Sequence, residues 1–231
     1  MLNILIDHDN LSIGVRNKGS LYIVDRILSM LPASLTDTIS RAECRFYGGW
    51  FIGPHLTKRA QLLGAELAKD FPATMMSRRI PVAAELARSL LIDPSNDLRN
   101  TYRERQGAPT VTCRHPVNQG CSVSDCPMAA LTVALKENRC PVVACLVRPR
   151  ELLERNEQKL VDSMMVVDSL FASQTRQQSV ALVSSDDDLW PSVHSLLAGG
   201  HNIYLVHTEQ RTTPYSSVIK RGWGTLWQGA L

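Results

Sequence analysis

Four aspartates stand where their side chains could act together on a phosphate ester. Asp7 follows the apolar run LNILI, Asp186 and Asp188 follow SVALVSS, and Asp162 opens the helical text VDSMMVVDSL. In open α/β sheets ligands gather at the carboxyl ends of strands near a topological switch, so two such strand ends can share a site. Carboxylates gathered there repel one another and raise their own pKa values unless a cation intervenes, and an oxygen-only ligand set suits Mg²⁺ or Mn²⁺. Such an ion activates water and neutralises charge on a phosphodiester, so the implied chemistry is phosphodiester hydrolysis. Taken singly, each aspartate reads equally well as a helix cap, and Asp186-Asp187-Asp188 as a solvated turn. The convergence of four at strand ends favours the metal site.

A second constellation is softer. Cys113, His115, Cys121 and Cys126 lie in CRHPVNQGCSVSDCP, with Cys140 beyond, and thiolate plus imidazole is a zinc-type set that could fold a segment poor in apolar residues. The spacing contains no C-x-x-C pair, and buried or free thiols account for it as well. Cys44 and Cys145 sit in strand-like text and read as core. Arg99, Arg103, Arg105 and Arg114, with Tyr102 among them, could meet phosphates and stack on bases of a single strand, or simply form a solvated loop.

The elements that must position these groups alternate. Residues 2–6 read as a buried strand, 20–31 as a helix stopped by Pro32, 42–50 as a strand closed by glycines, and 57–70 as a helix capped by Thr57. Residues 80–92 read as a helix with Pro81 in its first turn. PVVACLV (141–147) reads as a strand, 150–172 as one helix, SVALVSS (179–185) as a strand, 190–197 as a helix and NIYLVH (202–207) as the last strand. This alternation predicts an α/β fold around a mainly parallel sheet. The Arg-, Pro- and Cys-rich stretch at about 93–140 reads as an insertion in a single domain spanning 1–231.

Composition is that of an ordinary globular chain: 231 residues, 44% hydrophobic, 20% charged, net charge +3. The mild positive balance is compatible with a polyanionic partner. Two aspartates within the first nine residues rule out a secretory apolar region there, and no run of about 18 apolar residues occurs. The chain reads as cytoplasmic, without a membrane partner.

ILIDHDNL (4–11), KLVDSMMVVDSL (159–170) and VALVSSDDDLWPSV (180–193) resemble, in order, the three signature blocks of NYN domains in the PIN-like nuclease group. The likeness covers about 1–70 and 141–210. It implies a PIN-like three-layer sandwich and a metal-dependent ribonuclease, with single-stranded or structured RNA as partner and DNA as a rival substrate. By position it makes Asp7, Asp162 and Asp186 metal ligands, Asp188 a further ligand or water-orienting group, and Asn10 and Lys159 substrate contacts. Asp168 matches a second helix aspartate, but six residues turn it about 240° from Asp162, so it reads either as a support behind the metal ligands or as structural. Leu160 and Ser185 replace glycines of the family pattern. Two other readings are a haloacid-dehalogenase-like phosphatase built on Asp7-His8-Asp9, and a non-catalytic RNA-binding module.

Overall fold

The computed structural model describes residues 1–106, 127–140, 142, 144–174, 179–209 and 221–231. These fall into two compact units, Met1–Thr101 with Gln158–Leu231, and Tyr102–Glu157. Among the described residues, no helix is long and apolar enough to cross a membrane.

The first unit opens with β1 (Leu2–Asp7), the short α1 (Ile13–Arg16), α2 (Ser20–Met30) and the single turn α3 (Ala33–Thr36). It continues through β2 (Ala42–Tyr47), a small hairpin of β3 (Phe51–Ile52) and β4 (His55–Leu56), α4 (Lys58–Asp70), β5 (Ala73–Met75) and β6 (Ile80–Leu86). The second unit holds β7 (Tyr102–Gln106), α5 (Pro127–Glu137), α6 (Pro149–Leu152) and β8 (Glu154–Gln158), with β7 and β8 forming a two-stranded sheet. The chain then completes the first unit with α7 (Val161–Ser173), β9 (Ser179–Val183), α8 (Trp190–Ala198), β10 (Ile203–His207) and β11 (Leu226–Ala230).

Seven strands make one sheet in the order β11-β10-β9-β1-β2-β6-β5, parallel except for β5. β1 is buried along its whole length. Its alternate residues serve two cores, as a sheet covered on both faces requires. Leu2, Ile4 and Ile6 pack with Ile23, Val24 and Ile27 of α2 and Leu63 and Leu67 of α4. Leu5 packs on the opposite face with Met164 and Met165 of α7 and Val193 and Leu197 of α8. The fold is therefore α/β with helices on both faces of a mostly parallel sheet. After β1 the chain builds outward through β2 and β6, then returns to β9 on the other side. The switch point lies between β1 and β9, where Asp7 and the β9 loop emerge.

Several expectations need correction. Residues 80–86 form β6, paired with β2 at Ala42↔Val82 and following, not the start of a helix. Ile80 and Val82 are buried while Pro81 and Ala83 are exposed, a period of two that the alanines disguised as helical text. Among the described residues of the expected strand at 141–147, positions 142 and 144–147 belong to no strand, and Cys145 is only partly buried. Among the described residues this β-favouring text has no ladder partner, and such propensity expresses itself only against neighbours. The single helix expected across 150–172 is broken into α6, β8 and α7, because Glu154–Gln158 pairs with β7 instead. Cys44 is core as expected, and burial pushes its thiol far above the usual range. The tail adds β11, parallel to β10.

Asp168 proves structural. Fully buried on α7, its carboxylate accepts from the Tyr47 hydroxyl at 2.6 Å and the Leu91 N–H at 2.7 Å, and pairs with Arg45 Nη1 at 2.8 Å. Arg45 Nη2 donates to the Ser89 carbonyl at 2.7 Å, so the group ties α7, β2 and the segment after β6 together. A buried ion pair contributes little net stability when complete, but removing one partner strands the other in a dry site. Asp168→Ala is expected to destabilise the protein by about 3–5 kcal/mol, read as a lowered urea midpoint.

Candidate metal centre

Three carboxylates converge at the carboxyl end of β9. Asp162, Asp186 and Asp188 each offer one oxygen, and the three oxygens lie within 4.8 Å of one another, a spacing that could hold a metal ion. Asp162 sits in the first turn of α7 and Asp186 in the loop after β9. Asp188 lies in a 3-10 turn (Asp187–Leu189) that leads into α8. Asp162 and Asp186 are half-buried and Asp188 is exposed. Burial raises the Asp162 pKa, and the charges of Asp186 and Asp188 raise it further. Like charges held this close without a cation are costly, and a divalent ion would relieve them.

Local chemistry fixes Asp186 and Asp188. The Asp186 carboxylate accepts from the Asp188 N–H at 2.9 Å, so it caps the turn that presents Asp188. Its own N–H donates to Ser184 Oγ at 3.0 Å. The helix-cap role weighed against the metal role for Asp186 is thus present alongside the cluster, since a carboxylate has lone pairs for both.

Asp7 stands beside the trio rather than among its three mutually close oxygens. One of its oxygens accepts from the Asn10 N–H at 3.2 Å and the other from Ser184 Oγ at 3.1 Å. Asp7 is buried, and that burial raises its pKa to about 7, with Asp162 and Asp9 adding repulsion against the two hydrogen bonds. Near neutral pH it therefore lies at the midpoint of its titration.

Asn10 serves the frame. Its amide oxygen accepts from the Ser185 N–H at 3.0 Å and from the Thr208 hydroxyl, stitching the ends of β1, β9 and β10 into one rim. Ser185 Oγ in turn accepts from the Glu209 N–H at 3.0 Å, a tie that a glycine could not make. Ser184 and Thr208 are the site residues that sequence reasoning missed. Their only signal was a hydroxyl beside each strand end.

Lys159 is exposed just before α7, and its N–H donates to the Thr101 carbonyl at 2.9 Å. Arg103 is exposed on β7 of the second unit. The Arg105 side chain lies outside the described residues, as do Cys113, Arg114, His115, Cys121 and Cys126, so the zinc-type set falls there too. Asp9 accepts from the Gly49 N–H at 2.9 Å and pairs with Arg59, a commitment that turns it away from the role a phosphatase acid would need.

Leu160 caps α7 with φ of 68°, the left-handed region that costs an L-residue about 1–2 kcal/mol. It occupies the position where the NYN pattern carries glycine. Being exposed, it gives up little packing on removal. Leu160→Gly is expected to stabilise the protein by about 0.5–1 kcal/mol after glycine's greater unfolded freedom is subtracted, measured as a rise in Tm.

Compared with known proteins, the chain matches no family model, no curated protein and no solved structure.

Proposed function

We propose that this chain is a metal-dependent nuclease of the NYN, PIN-like kind that hydrolyses RNA phosphodiester bonds. The observation that carries the reading is the convergence of Asp162, Asp186 and Asp188 at the switch point of a mostly parallel sheet. The left-handed backbone at Leu160 supports the resemblance, because a glycine belongs there on physical grounds.

In this reading Asp162, Asp186 and Asp188 hold Mg²⁺ or Mn²⁺, and Asp7 adds a remaining lone pair from beside Asp162. The bound ion would supply an activated water and neutralise charge on the phosphate. The chain's own residues do the rest. Ser184 holds Asp7 and the backbone of Asp186 at a fixed separation, and Asn10 locks the three strand ends that carry them. A rigid frame of this sort keeps reacting groups aligned without reorganisation during the step.

The test incubates purified protein with labelled single-stranded RNA, structured RNA and single-stranded DNA, in Mn²⁺, Mg²⁺ or EDTA. Cleavage of RNA that requires the divalent ion is expected. Preference for DNA would reassign the substrate, and inertness on every nucleic acid would remove the enzyme reading.

A further inference from the structure

On the opposite face of β1 from the acidic trio lies a pocket of about 440 Å³. Strand alternation puts it there: the Asp7 side chain meets Ser184 on the α7 side, whereas the next residue, His8, turns to Phe46 and Trp50 on the α2 and α4 side. The two sites nonetheless meet at one strand end: Asp7, whose charge interacts with that of Asp162, and His8, which lines the pocket, are consecutive residues.

The pocket is built from His8, Ile13, Arg16, Arg59, Leu62 and Glu66 among others. Its charges are unevenly satisfied. Arg59 pairs with Asp9 and lies 5.5 Å from the Trp50 ring centre, and Glu66 accepts from the Ser20 N–H at the start of α2. Arg16 is half-buried, and its guanidinium has no ion pair or hydrogen bond with a described residue. At the mouth, Ile13 and Leu62 are 68% and 63% exposed, two aliphatic side chains presented to solvent beside an unpaired guanidinium.

We infer that this pocket seats a nucleotide of single-stranded RNA flanking the scissile phosphate, with Arg16 on a backbone phosphate and Ile13 and Leu62 against the base. The inference rests on the nuclease reading above and adds the path of the strand: across the carboxyl rim of the sheet, from the trio on the α7 face to the pocket on the α4 face. The volume is in the range of small-ligand sites, and an unpaired guanidinium beside apolar surface is the pairing a nucleotide asks for.

Binding and catalysis are measured separately. Anisotropy of a labelled eight-nucleotide RNA in EDTA reads binding without cleavage, for wild type, Arg16→Glu and Leu62→Ser, with circular dichroism confirming that each variant is folded. Arg16→Glu is expected to weaken binding about ten-fold and to reduce the slope of log affinity against log salt by about one, as loss of one phosphate contact does. Leu62→Ser should weaken binding while leaving the salt slope unchanged. With Mn²⁺, Arg16→Glu should raise KM and leave kcat unaltered. Unchanged affinity and KM in folded Arg16→Glu overturn the pocket while leaving the nuclease reading in place. Arg16-dependent binding without any cleavage upholds the pocket and removes the nuclease reading. Failure of wild type to bind RNA at all overturns the pocket.

Discussion

Asp162→Asn and Asp186→Asn are each expected to lower metal-dependent RNA cleavage by more than about 100-fold, the upper range for disturbing groups one shell further from a metal. Asparagine is the informative replacement. At Asp186 it keeps the oxygen that accepts from the Asp188 N–H, so the 3-10 turn is still capped and only the charge is lost. Asp186→Ala removes cap and charge together and confounds the two. Because the trio would hold one ion, the effects should not multiply: the Asp162→Asn, Asp186→Asn double variant is expected to be about as inactive as either single one. Asp188→Asn, on an exposed side chain, should lose less and should be partly restored by raising the Mn²⁺ concentration. Full activity in Asp186→Asn, with its fold intact by circular dichroism, would mean that the ion is held elsewhere.

How much of this site could be read beforehand follows from what each element depends on. β1, β9 and β10 were legible because strands buried on both faces are continuous apolar runs, and polar residues interrupt those runs abruptly: Asp7 at the end of β1, Ser184 after β9 and His207 at the end of β10. Thr57 announced α4 because a hydroxyl cap is a local device, and the Thr57 side chain does accept from the Ala60 N–H. β6 was missed because Ala83 and Ala84 favour a helix and only pairing with β2 and β5 outweighs that preference. The break between β8 and α7 was missed for a related reason. Glu154–Gln158 is good helical text, and the chain leaves it only through the left-handed residue at 160. At the site, residue types exposed the carboxylates but not the hydroxyls. Ser184 and Thr208 acquire their roles from strand register, which brings residues 177 and 198 positions apart into contact and leaves no local trace.

Asp7 should make the protein less stable as pH rises when no divalent ion is present. Its folded pKa of about 7 lies above the ordinary value of 3.8, so the native state favours the neutral acid. The unfolded chain binds fewer protons between those values, and unfolding free energy therefore falls as pH climbs. The favourable contribution is complete below about pH 4 and is lost by about pH 7. The difference amounts to a few kcal/mol on an order-of-magnitude reckoning, since one pKa unit corresponds to about 1.4 kcal/mol. Asp7→Asn mimics the neutral acid: its carbonyl can accept from the Asn10 N–H and its amide can donate to Ser184 Oγ. In EDTA at pH 8 this variant is expected to melt above wild type, and at pH 4 the two should melt together. Mn²⁺ at pH 8 should raise the wild-type Tm more than that of Asp7→Asn, while cleavage by the variant collapses. A variant that is more stable and less active would locate at Asp7 the strain that a functional metal site stores when empty. Equal melting at pH 8 would show that the Asp7 carboxylate is better solvated than its burial implies, and would leave the trio to hold the ion without it.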